Sequence, residues 1–203
     1  MKIMYKHILT LFLALAIGGV MHVNGQVVTK DGPSFPKFAI KSNLLYDATA
    51  TFNLGVELGL GRKTSLELPF NYNPWTFQNN RKWQHFLAQP ELRFWFCERF
   101  NGTFFGIHAH YATYDVGNIP ELPIINNSQL YRYKGWLAGG GISIGHSWIL
   151  SPRLGLEVTV GAGYAYMDYD RYKCEVCGNL LGSHTKHYFG PTKAGFTLIY
   201  LIK

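Results

Sequence analysis

Beyond its first few dozen residues the chain alternates apolar and polar positions with a period of two, the mark of strands with two unlike faces. Residues 154–166 show this most plainly. Leu154, Leu156, Val158, Val160, Ala162, Tyr164 and Tyr166 share one face, and Gly155, Glu157, Thr159, Gly161, Gly163 and Ala165 share the other. A helix would scatter both sets around its circumference. The pattern returns at 52–60, 66–72, 92–96, 105–111, 142–150 and 196–202, with a weaker first member over 38–47. It predicts eight strands, an even number at the lower limit for outer-membrane barrels.

The connections alternate as well. Gly61-Arg62-Lys63-Thr64, residues 98–102 and Ser151-Pro152-Arg153 read as short polar turns, while 73–84, 116–132 and 173–187 read as longer loops at the opposite end. Short periplasmic turns and long outer loops are the asymmetry of membrane barrels. The link near Asp47-Ala48-Thr49 is an exception, external by count yet short. A soluble eight-stranded barrel would turn the apolar faces inward and put the Gly, Ser, Ala and Thr faces in water. Those second faces carry too few charges for a solvent surface and suit a narrow interior. Tyr72, Trp75, Trp83, Tyr111 and Trp136 fall near predicted strand ends, where aromatic girdles sit at the membrane boundary. The expected fold is all-β: an eight-stranded antiparallel up-and-down transmembrane β-barrel.

The first residues supply a route to the membrane. A basic start with Lys2 and Lys6, an apolar run from Ile8 to Met21, and Val23 and Gly25 before a cut describe a secretory signal peptide over residues 1–25. The run is too short to span a bilayer comfortably as a helix, which takes about 20 residues. That leaves residues 26–203 as one barrel domain. With Lys2 and Lys6 gone, the 19 basic residues fall to 17 against 12 acidic ones, a surplus of +5. The surplus is scattered, so a nucleic-acid partner is not expected. Charged residues make up only 15% of the chain and aromatics 16%, and the mean hydropathy is −0.03. Few charges and many rings fit a protein that meets lipid on one side only.

The charges that do fall on the inner faces are the first candidate site. Lys41, Glu57, Glu67, Glu91, Arg93 and Glu157 form an expected internal charge network, with Asp47 and Lys193 as further inward positions. A lone carboxylate in a narrow, dry interior is costly, so the residues are expected to pair and to plug the barrel. Cys174 and Cys177 are close enough to form a loop disulfide in an oxidising compartment; Cys97 is then left over. With His184 and His187 the same cysteines also admit a zinc reading, although the gap between the pairs is short for it. His108 and His110 share one strand face and read as polar packing of the interior. His146, Ser147 and Glu157 are the best candidates for hydrolytic chemistry, but neighbours on a strand point to opposite faces. No cofactor is expected.

Several segments carry a family resemblance. Lys41-Ser42-Asn43-Leu44-Leu45-Tyr46-Asp47, Asn53-Leu54-Gly55-Val56-Glu57, Ser65-Leu66-Glu67-Leu68-Pro69-Phe70-Asn71-Tyr72-Asn73-Pro74-Trp75 and Gln89-Pro90-Glu91-Leu92-Arg93-Phe94-Trp95 are among them, with Gly161-Ala162-Gly163-Tyr164 and the ending Leu198-Ile199-Tyr200-Leu201-Ile202-Lys203. Together they resemble a family of uncharacterised outer-membrane barrels from Bacteroidota, some of whose members lie beside genes for surface fimbriae. The resemblance implies a barrel in the cell outer membrane, in contact with its lipid and inserted by the barrel-assembly machinery. It implies a structural, adhesion or fimbria-assembly role, with fimbrial or other surface proteins as partners, and supplies no catalytic residues. An enzyme acting on lipid A or phospholipid and a narrow solute pore are the alternatives.

Overall fold

The computed structural model describes residues 36–77, 81–118, 131–173 and 178–202. The expected signal segment, Cys174 and Cys177 lie outside the described residues. Ten strand segments follow in chain order: β1 (Phe38–Asn43), β2 (Phe52–Gly59), β3 (Thr64–Asn73), β4 (Thr76–Phe77), β5 (Arg81–Ala88), β6 (Glu91–Trp95), β7 (Gly102–Gly117), β8 (Tyr131–Ile149), β9 (Leu154–Lys173) and β10 (Leu180–Ile202). One helical turn, α1 (Leu44–Asp47), sits between β1 and β2. No helix among the described residues is long and apolar enough to cross a membrane.

Every pairing is antiparallel, and the order closes on itself. The last strand, β10, pairs with the first, Phe38 opposite Ile202 and Asn43 opposite Thr197. β5 and β6 act as one strand in two pieces, since both pair with β3 on one side and with β7 on the other. The break falls at Gln89-Pro90, opposite Pro69. A proline has no N–H for the ladder, so Pro69 and Pro90, one on each strand, interrupt the pairing there. Counted this way, the sheet is an up-and-down ring of eight hydrogen-bonded strands, the number the alternation predicts. Antiparallel closure matters physically because it leaves no edge along the paired lengths.

The boundaries differ from the sequence reading in several places, three of which bear on the interior. The first strand stops at Asn43, and residues 44–47 wind into α1 because Asn43 caps the turn by accepting from the Leu45 N–H at 3.2 Å. Residues 81–84 and 180–187, read above as loop, are strand paired to β7 and β9. Their polar side chains mask the alternation, whereas the backbone ladder continues regardless. The walls are therefore unequal: β9 and β10 run 20 and 23 residues, β1 and β2 only 6 and 8.

Side-chain facing follows the alternation throughout. Glu157 is 1% exposed and its neighbour Val160 55%, while Leu54, Ile107, Ile142 and Ile144 are each more than half exposed. Polar and charged groups fill the inside, and apolar groups cover the outside. The short turns gather at one end with the start of β1 and the end of β10. There the turn after β6 folds inward, with Phe100 in the left-handed region at φ 64° and its ring 2% exposed. Phe100 packs with Ala39, Ile199 and Leu201 as an apolar plug. This turn end is sealed.

Candidate functional site

Above the plug lies a belt of charge. Glu57, Glu67 and Glu91 stand side by side on β2, β3 and β6, each directly opposite the next in register. Like charges opposite one another destabilise a sheet, so the row depends on what the interior supplies against it. Arg93 supplies most. Its Nη1 donates to Glu57 and Glu157 at 3.0 Å each, its Nη2 to Glu67 at 2.5 Å and its Nε to Glu91 at 2.7 Å. One fully buried guanidinium thus touches four carboxylates, using the fixed fork of donors that only arginine has. Its carbon also lies 4.3 Å from the centre of the Phe104 ring, which floors the belt.

Two lysines complete the arrangement. Lys41 Nζ lies 2.7 Å from Glu157, 3.5 Å from Glu67, and against Glu57. Lys193 Nζ donates to Glu67 at 2.8 Å and to Glu91 at 2.9 Å. The remaining carboxylate lone pairs find hydroxyls. Ser65 donates to Glu57, Ser143 to Glu91 at 2.9 Å and Thr159 to Glu157 at 3.0 Å, while Trp95 Nε1 donates to Ser65 at 2.8 Å. Such saturation is what lets charges remain in an interior from which water is excluded. A side chain at Gly106 would meet the Glu91 carboxyl carbon at 2.7 Å and collide with Ser143, so the missing Cβ makes that contact possible.

The six residues singled out as a charge network, Lys41, Glu57, Glu67, Glu91, Arg93 and Glu157, converge at this one level of the ring. Lys193 joins them from β10, next to a local irregularity. Between Pro191 and Lys193 the register of β10 against β9 shifts by one residue, leaving Thr192 extra. Below the bulge the odd-numbered residues of β10 face inward; above it the even-numbered ones do. Without Thr192, Lys193 would keep its inward facing and the strand above it would be inverted. Thr192 itself accepts from Gln89 Nε2 through its carbonyl at 3.0 Å and meets His108 Nε2 at 3.0 Å through its hydroxyl. Asp47 is a correction to the sequence reading. It sits exposed on α1, bonded to Ser42 at 2.9 Å and Asn53 at 2.6 Å, because the helical turn takes it off the strand face.

Toward the loop end the interior changes character. His108 and His110 are both buried, with ring centres 5.8 Å apart, and above them the ring encloses a cavity of about 480 Å³. Its walls come from β5, β7, β8, β9 and β10, with Leu87, Ala112, Val116, Leu137, Ala165 and Met167 among the apolar lining. On the low side, above β1 and β2, the wall is completed by Leu45, Tyr46 and Thr49 of α1 and the link that follows it. Aromatic residues rim the mouth: Val116 and Tyr133 are packed by Trp83, Tyr114, Tyr131 and Tyr169. The sequence does not announce the cavity, since the strands around it mix polar and apolar residues on both faces and show little alternation to read.

The other candidate groups do not assemble. Ser147 is buried and donates to the Phe100 carbonyl at 3.3 Å; His146 stands on the outer face beside Thr103, 2.8 Å from its hydroxyl. Glu157 is held by Arg93 and Lys41, so these three form no nucleophile, base and orienter. His184 and His187 lie on opposite faces of β10, the first beside Tyr169 and the second bonded to Tyr164 at 2.7 Å. No cluster of three metal-ligating side chains occurs among the described residues. Cys97 is free and exposed in the inturned loop.

A ring of eight antiparallel strands with an ionic interior and an apolar exterior defines the class. A family model described as "Protein of unknown function (DUF3575)" matches residues 9–202, and the chain belongs to that family. Comparison with curated proteins and with solved structures gives no match.

Proposed function

We propose that the ring is a transmembrane β-barrel of the bacterial outer membrane, closed to solutes and serving as a scaffold for surface structure, adhesion or fimbrial assembly. The observation that carries the membrane reading is the outer face. Leu54, Ile107, Ile142, Ile144, Val160 and Leu198 lie on strands all around the ring and are exposed. Soluble monomers rarely show a contiguous apolar patch above a few hundred Å². A closed band of this kind is matched by lipid, which needs every backbone group paired within the ring. Export by the segment at residues 1–25, and insertion by the barrel-assembly machinery, supply the route.

The sealed turn end and the charge belt support a plugged interior rather than a solute path. Recognition of a partner then falls to the loop end, where connections on a rigid scaffold usually carry it. Fractionation tests the membrane reading: the native product partitions with outer membranes, needs detergent, and migrates faster unheated than boiled. Val160→Arg places a charge on the lipid face and costs about 2–4 kcal/mol if it lies near the bilayer midplane. A detergent-free soluble monomer, unmoved by that substitution, overturns the reading. For the scaffold role, replacing residues 119–130 by a short Gly-Ser linker abolishes pull-down of fimbrial subunits while heat-modifiable migration persists. Unchanged pull-down removes that segment from the contact.

A further inference from the structure

The cavity above the histidine pair is unused by the scaffold role, and its lining is selective in a particular way. None of the residues around it carries a formal charge. The seven charged groups of the belt lie below it, where Lys41, Arg93 and Lys193 face Glu57, Glu67, Glu91 and Glu157, three positive charges against four negative. An anionic head held against these lining residues would meet no fixed positive charge among them and a slight negative excess beneath it. An apolar body, in contrast, is well received by Leu87, Leu137 and Met167. About 480 Å³ falls within the roughly 300–1,000 Å³ typical of small-molecule sites.

The walls are not purely apolar. Tyr114 and Tyr46 both line the cavity, and their hydroxyls make no hydrogen bond with any described residue. Tyr46 reaches it only because Asn43 turns the chain into α1. A buried phenol usually finds a partner. Two such groups, on opposite sides of a chamber that also presents His85, His110 and Tyr188, are placed to serve a ligand with a hydroxyl or carbonyl. Access runs past α1, since β1 ends at Asn43 and the edge of β10 above Thr197 has no strand beside it there.

We propose that the cavity binds one molecule of an uncharged single-chain amphiphile, its alkyl body against β8 and β9 and its hydroxyl or carbonyl head bonded by Tyr114. The site stands on the interior geometry alone and holds whether or not the outer face meets lipid. Native mass spectrometry of the full chain in a sterol-based, non-alkyl amphiphile tests it, with dodecanol, dodecanoate and dodecane as probes. One dodecanol adds per chain, and dodecanoate binds more weakly. Leu137→Trp, which fills the chamber, abolishes the adduct; Ala165→Phe is the second filling variant should the first fail to fold. Tyr114→Phe weakens dodecanol roughly tenfold, the worth of one hydrogen bond, and leaves dodecane unchanged. No dodecanol adduct, an adduct that survives both filling variants, or preference for dodecanoate overturns the proposal.

Discussion

The two halves of the interior solve opposite problems. In the turn half, short strands bring seven charged side chains into one layer, and each is held by several partners with almost no free space between them. In the loop half, longer strands carry mostly apolar side chains, yet the chamber between them stays open. Greasy residues therefore do not fill this protein, and ions do. The difference lies in directionality. An Arg93 that donates to four carboxylates fixes four strands at set distances, while apolar contacts specify no distance and tolerate a gap until something occupies it.

The largest effect expected is in the turn half. Arg93→Met leaves four buried carboxylates without their shared cation and costs about 3–5 kcal/mol, the usual result of breaking a buried charge pair from one side. Urea unfolding in vesicles measures it. A loss below about 1 kcal/mol would mean that Lys41 and Lys193 suffice, and that the belt is not what spaces the strands. Next comes the same kind of cut in the loop half. Leu137→Ala costs about 1 kcal/mol, short of the 2–5 kcal/mol of a filled core, because Leu137 already borders open space. A full-sized loss would show that the chamber is closed around its side chains in solution. Ala165→Leu adds volume where there is room and stabilises by about 0.5–1 kcal/mol, read as a shift of the unfolding midpoint. The smallest effect lies outside both halves: Arg62→Ala removes the exposed pair with Glu98 at 3.0 Å and leaves the midpoint where it was.

How much of this could be read beforehand depended on whether the two faces of a strand differ. Around Glu57, Glu91 and Glu157 they differ sharply, so strand number, direction and the inward set of charges are visible in the alternation. Around Val116, Leu137 and Met167 polar and apolar residues fall on both faces, and the same method sees little of the facing and nothing of the cavity. Two local features are hidden for another reason. The Asn43 cap that makes α1, and carries Asp47 away from the strand face, is a single hydrogen bond competing with strand propensity. The reversal of facing in β10 above Lys193 depends on one unpaired residue, which no periodicity announces.

That unpaired residue gives β10 a parity to keep. Losing Thr192, or gaining a second residue beside it, would leave Phe196, Leu198, Tyr200 and Ile202 where they are. Everything from Leu180 to Gly190 would be turned inside out, so that Phe189 faced the chamber and Tyr188 the surroundings. Two residues inserted together would restore the original sense. Length changes at this point are thus graded by odd and even rather than by size, and a single-codon indel is more disruptive than a double one.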